Sequence, residues 1–120
     1  MENSLILYVG KREAGLALAA LVEETDGCVY LPETLMQALG MYITYFPQIV
    51  VIDPSVSYGR ETFEHLRSVD AKPMILLTDE RIRSNSIRTL PPDISAEALL
   101  DALDRFAEPL RVPNGVLRYA

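Results

Sequence analysis

One cysteine, one histidine and no tryptophan occur in the 120 residues. A lone Cys28 cannot close an intrachain disulfide or supply a metal cluster, so a reducing, cytoplasmic setting is expected. His65 is the single histidine, and no Ser-His-Asp or Cys-His pairing is legible, so no enzymatic activity is expected. Basic residues are also scarce. Lys plus Arg is 11 against 17 for Asp plus Glu, a formal charge of −6. A general binder of nucleic-acid backbone needs a basic face to displace counterions, so no nucleic-acid partner is expected. No apolar run approaches the roughly 18 residues of a membrane span, and Met1-Glu2-Asn3-Ser4 lacks the basic region of a signal peptide. No membrane partner is expected. Repeats, low-complexity tracts and internal linkers are missing as well.

What is present is an average globular composition, 49% hydrophobic and 23% charged. A chain of this length can bury a core without disulfide or metal staples. Leu5-Ile6-Leu7-Tyr8-Val9, Ile49-Val50-Val51-Ile52 and Met74-Ile75-Leu76-Leu77 are short apolar runs closed by Gly10, Asp53-Pro54 and Thr78. Such runs fit strands buried on both faces of a parallel sheet. Cys28–Leu31 and Ser86–Leu90 are weaker strand candidates, the second half polar like an edge strand.

Helical spacing fills the gaps. Ala14, Ala17, Leu18, Leu21 and Val22 form a stripe over Arg12–Thr25, with Gly27 as its stop. Leu35, Met36, Leu39, Ile43 and Phe46 form another over Glu33–Phe46, which Pro47 ends and Gly40 threatens to break. Phe63, Leu66 and Val69 mark a third over Glu61–Val69. Ser95 caps a fourth, where Leu99, Leu100, Leu103, Phe106 and Ala107 line up before Pro109 limits it. The alternation predicts a flavodoxin-like, doubly wound α/β fold: five parallel strands in the order 2-1-3-4-5. Only seven residues separate Thr78 from Ser86. A parallel crossover normally takes about a dozen, so the helix expected there is shortened or missing. Residues 1–110 are expected to form the domain and 111–120 a C-terminal tail.

Ligands of such folds sit at the carboxyl ends of the strands, which points to Gly10-Lys11-Arg12-Glu13, Asp53-Pro54, Thr78-Asp79-Glu80 and Leu90-Pro91. At these positions the chain resembles a two-component response-regulator receiver domain. Pro47-Gln48-Ile49-Val50-Val51-Ile52-Asp53 resembles the receiver's apolar strand ending in the phosphoryl-accepting Asp. Met74–Thr78 resembles the fourth strand with its responsive Thr or Ser. Gly59–Arg67 resembles the third helix, and Leu90-Pro91-Pro92 with Ile94–Leu103 resembles the fifth strand and last helix.

The departures fall on the chemistry. The resemblance implies a Mg²⁺ site built on an acidic pair after the first strand, since Mg²⁺ takes hard oxygen ligands. Here that pair reads Gly10-Lys11, and Glu13 lies further into the helix. The receiver's phosphate-binding Lys falls on Leu90. The loop after Asp53 is about two residues short of the family pattern. Phosphoryl transfer depends on positioning and charge neutralisation. The expectation is therefore a degenerate pseudo-receiver with no cofactor and a vestigial acceptor pocket of Asp53, Thr78 and Lys11.

Each of these residues has a plainer reading. Asp53 can merely end a strand and cap the next turn. Thr78 can bond nearby backbone. Lys11 or Arg12 is hypothesised to pair with Asp53 in place of metal charge, against the alternative that both lie in solvent. Asp79-Glu80 with Arg81 and Arg83 reads as a mixed-charge loop, and His65 as a surface residue. Tyr42, Tyr45, Arg81, Arg83, Arg88 and Tyr119 are the interface candidates. The resemblance implies a regulatory module that binds another signalling protein, a separate chain, with a homodimer as a further option. The alternatives are a small-molecule-binding flavodoxin-like domain, or a receiver still phosphorylated through an unusual site. Against the first, Gly10–Gly15 lacks the spacing of a phosphate-cradling loop.

Overall fold

The structure, a computed structural model, describes residues 4–69, 73–82 and 87–117, with side chains for all of these but Val69 and residues 107–117. Five parallel strands, β1 (Leu5–Val9), β2 (Cys28–Tyr30), β3 (Ile49–Ile52), β4 (Met74–Leu77) and β5 (Ile87–Leu90), form one sheet in the expected order 2-1-3-4-5. The helices are α1 (Arg12–Glu23), α2 (Leu35–Tyr45), α3 (Gly59–Val69) and α4 (Ala96–Leu117). Among the described residues β4 runs to β5 without a helix, as the short spacing required. The returning chain has only a four-residue strand to retrace before it enters β5 beside β4, with Met74 opposite Ile87.

The apolar runs build two cores because side chains alternate across a strand. Ile6, Tyr8, Ile49, Val51, Ile75 and Leu77 face one layer with Leu18, Val22, Leu99, Leu103 and Phe106 of α1 and α4. Leu7, Val9, Val50, Ile52, Met74 and Leu76 face the other with Ala38, Tyr42, Phe63 and Leu66 of α2 and α3. Continuous apolar sequence is what a sheet covered on both faces demands. Fully burying each such Leu, Ile or Val contributes about 1.5–3 kcal/mol.

Several local expectations are corrected. On α1 the buried stripe is Gly15, Leu18, Ala19 and Val22, and Ala14 and Ala17 are exposed. Alanine is tolerated on either face, so it marks neither. The chain leaves α1 through Asp26 in the left-handed region (φ 61°), while the Gly27 N–H donates to the Val22 carbonyl at 3.1 Å. Asp is among the few residues that tolerate this conformation. Ser95 does cap α4, its Oγ accepting from the Ala98 N–H at 3.2 Å. Pro109 does not end α4, whose backbone continues to Leu117. Proline's fixed φ is itself helical, so within a helix it removes one hydrogen bond and crowds the preceding turn without forcing a stop.

The largest correction concerns α2. Its inward residues are Ala38 and Tyr42, with Leu39 and Met41 partly covered, while Met36, Ile43 and Phe46 are exposed. The helix is apolar around most of its circumference, so spacing alone could not choose a face. Thr34 starts it by accepting the Gln37 N–H at 3.1 Å. Gly40 does not break it, and a Cβ there would meet nothing within 4 Å. Gly40→Ala is therefore expected to stabilise the fold by about 0.5–1 kcal/mol, because it removes unfolded-state freedom without a clash. A raised denaturation midpoint checks this.

Candidate functional site

The strand ends define the site. Val9 lies opposite Ile52 and Leu77 opposite Leu90. The Asp53 N–H donates to the Val9 carbonyl at 2.7 Å, and the Thr78 N–H to the Leu90 carbonyl at 2.8 Å. These two bonds carry the sheet's pairing one residue past β3 and β4. They bring Asp53 and Thr78 into one shallow depression of about 310 Å³, lined also by Pro54, Ser55, Arg60, Asp79, Glu80 and Pro92.

Asp53 is only 2% exposed. Its Oδ1 accepts from the Ser55 N–H at 2.9 Å and from the Ser55 hydroxyl at 2.6 Å. Its backbone carbonyl accepts from the Val56 N–H at 3.3 Å. One carboxylate oxygen is thus held as the cap of the Asp53–Val56 turn, which is the plainer of the two readings of this residue. Gly59, at the start of α3, closes over that turn. A Cβ there would lie 2.2 Å from the Asp53 carbonyl oxygen, so the turn requires glycine. Thr78 behaves similarly: its Oγ1 accepts from the Glu80 N–H at 3.2 Å.

The hypothesised ion pair of Lys11 or Arg12 with Asp53 does not form among the described residues. Arg12 reaches Glu33 instead, at 3.4 Å. Lys11 precedes α1, is exposed and lines a separate surface depression with Arg12, Glu13 and Ala14. The cation that lines the Asp53 depression is Arg60, 3.9 Å from Glu80. Sequence reasoning missed it because Arg60 belongs to an amphipathic helix. Only the close turn at Gly59 brings it back to the strand ends.

The phenol of Tyr8 is the unforeseen neighbour. Its ring folds over Gly10: a Cβ on Gly10 would sit 2.8 Å from Tyr8 Cε1 and 3.1 Å from its hydroxyl oxygen. A side chain at Gly10, a carboxylate included, requires that ring to shift. Burial, and secondarily the Asp53 charge, push the phenol up to about 12. The chemistry of the donor set does not fit Mg²⁺. Where the resemblance implies an acidic pair the chain has Gly10 and Lys11, and an aromatic ring closes on the first of them. Asp53, Asp79 and Glu80 line one depression, but among the described residues no group of three acidic, His or Cys side chains stands close enough to hold a metal ion. Leu90 packs against the apolar core beside α1 and α4 and offers no charge.

The interface candidates separate. Tyr42 is buried and belongs to the core. Tyr45 is 42% exposed and stacks on Tyr30, with centroids 4.3 Å apart. Arg88 lies over the Phe106 ring at 4.9 Å, a cation–π contact that engages it within the fold. Arg81 is exposed. Arg83 and Tyr119 lie outside the described residues. His65 is exposed on α3, and Cys28 is a partly covered free thiol on the edge strand β2. A second cavity, of about 240 Å³, lies at the carboxyl ends of β1 and β2 and is lined by Tyr8, Gly10, Arg12, Leu31, Pro32, Glu33 and Tyr58. The Tyr58 hydroxyl donates to the Pro32 carbonyl at 2.6 Å across its mouth.

No protein-family model and no curated protein matches this chain. Solved structures do. A two-component response regulator from Clostridium difficile superposes with a TM-score of 0.73 at 14% identity, covering 92% of this chain and 99% of its own. The chemotaxis response regulator CheY4 of Vibrio cholerae gives 0.70 at 14%, covering 88% and 99%. The BeF3-activated N-terminal receiver domain of Klebsiella pneumoniae RstA gives 0.66 at 20%, covering 87% and 97%. The chain has the receiver fold.

Proposed function

We propose that this chain is a receiver-type regulatory module that has lost the metal-dependent phosphoryl switch. It acts by binding another signalling protein in the cytoplasm and catalyses no reaction of its own. The observation that carries this reading is the Tyr8 ring over Gly10, where receiver chemistry needs a metal-ligating carboxylate. The tied Oδ1 of Asp53 and the apolar Leu90 support it. Neutralisation of phosphoryl charge is the main service a protein gives to phosphoryl transfer, and both groups expected to provide it are replaced.

Incubating the protein with a small phosphodonor and Mg²⁺, followed by intact-mass measurement, tests this. No phosphorylated species is expected at times when an ordinary receiver is fully modified. Stoichiometric, base-labile phosphate on Asp53 overturns the reading. A second reading, a small-molecule site, has the cavity beyond the ends of β1 and β2 in its favour. At about 240 Å³ that cavity is smaller than the roughly 300–1,000 Å³ of ligand pockets. A thermal-shift screen against nucleotides and flavins separates the two readings, and a rise of several degrees with one of them favours the second.

A further inference from the structure

We propose that the outer face of α2 is a self-association surface whose partner is a second copy of this chain. The inference rests on reading the chain as an interaction module. Met36, Ile43 and Phe46 are 77%, 68% and 69% exposed. Met36, Gly40 and Ile43 recur at i, i+4 and i+7, so they share one side of the helix. Ala38 and Tyr42 occupy the opposite, buried side.

Charge selects the kind of partner. The chain carries −6, yet residues 35–52 hold no charged residue. α1, α3 and α4 each carry several. Two copies meeting through α2 set no charge against another, so the net −6 of each chain opposes contact least on this face. A charged partner would find nothing on this face to read.

Shape points the same way. A two-fold contact needs projections and a matching recess on one surface. Met36 and Ile43 project on either side of Gly40, and the space above Gly40 is open. Phe46 adds an independent sign. It sits in the left-handed region at φ 50°, ψ 61°, which bulky side chains avoid. Asn or Gly would suit that backbone better, so an exposed phenylalanine there costs the monomer stability. Covering the three side chains removes on the order of 400 Å² from each copy, about half of a standard interface partner's ~800 Å². An interface of this size supports a weak, reversible dimer.

Sedimentation velocity of the full chain from about 1 µM to about 500 µM tests this. The mass is expected to rise from one chain to two, and association to hold or tighten with added salt as the −6 charges are screened. Ile43→Glu is expected to weaken association by at least about 30-fold. Its fold should be intact, since Glu is the better helix former. Gly40→Ala fills the recess and is expected to raise the melting temperature while weakening association about tenfold. A monomer throughout the range, or a dimer indifferent to both substitutions, overturns the proposal, and so does a monomer that pairs through this face only with a different protein. The phosphodonor assay is read separately. Phosphate on Asp53 in an α2-linked dimer overturns only the earlier reading, and an unphosphorylated monomer overturns only this one.

Discussion

Gly59→Ala is expected to destabilise the fold by about 3 kcal/mol, near the upper end for overpacking. A Cβ at this position meets the Asp53 carbonyl oxygen at 2.2 Å and the Asp53 carbonyl carbon at 3.1 Å. Both are backbone atoms, so no side-chain rotation relieves the contact. Either the Asp53–Val56 turn opens or α3 moves away from β3. The same change at Gly40 is expected to stabilise, because nothing lies within 4 Å there. Urea denaturation of the two variants side by side gives opposite shifts in midpoint if the geometry is right. An unchanged midpoint for Gly59→Ala would contradict the tight turn on which the placement of Asp53 and Arg60 depends.

Raising the pH is expected to remove a comparable amount of stability. The Tyr8 hydroxyl titrates at 10.0 in a solvated chain and is pushed up to about 12 in the fold, by burial first and the Asp53 charge second. Folding therefore favours the protonated phenol. That stabilisation is fully present below pH 10 and is lost as pH rises through about 12, because the unfolded chain releases its proton first. The difference is worth on the order of 2 kcal/mol. Burial also raises Tyr30 and Tyr58, which act in the same direction. Denaturation midpoints measured from about pH 9 to about pH 12 should fall steeply in the native chain and less so in Tyr8→Phe. Equal slopes would mean that the Tyr8 phenol is not the buried neighbour of Asp53.

The sheet was legible because its signal is local and redundant. Leu5–Val9, Ile49–Ile52 and Met74–Leu77 are apolar at every position, and only a sheet covered on both faces uses such strands. Strand order followed from alternation and the handedness of crossovers. That β4 runs to β5 without a helix among the described residues followed from counting residues. At the site, Gly10, Lys11 and Leu90, where the resemblance implies two acids and a lysine, could be read by position. The pairing of Lys11 or Arg12 with Asp53 could not, because a flexible cation's partner depends on where every neighbouring side chain is placed. Arg12 found Glu33, and Arg60 entered the depression from a helix that sequence reasoning had assigned to packing.

The amino-acid sequence by itself determined the α/β alternation, the order of the strands and the Gly10-Lys11 pair that follows β1. Each of these follows from residue type and spacing along the chain. Tertiary structure decided which face of α2 is buried, which oxygen of Asp53 is tied, and that the Tyr8 ring lies against Gly10. Those outcomes depend on contacts between residues far apart in sequence: Ala38 and Tyr42 with Val50 and Ile52 in one core, and α3 closing on the β3 turn at Gly59. Even Tyr8 and Gly10, two residues apart, met within one core, where the Tyr8 ring also lies 3.0 Å from a Cβ placed on Gly15 of α1.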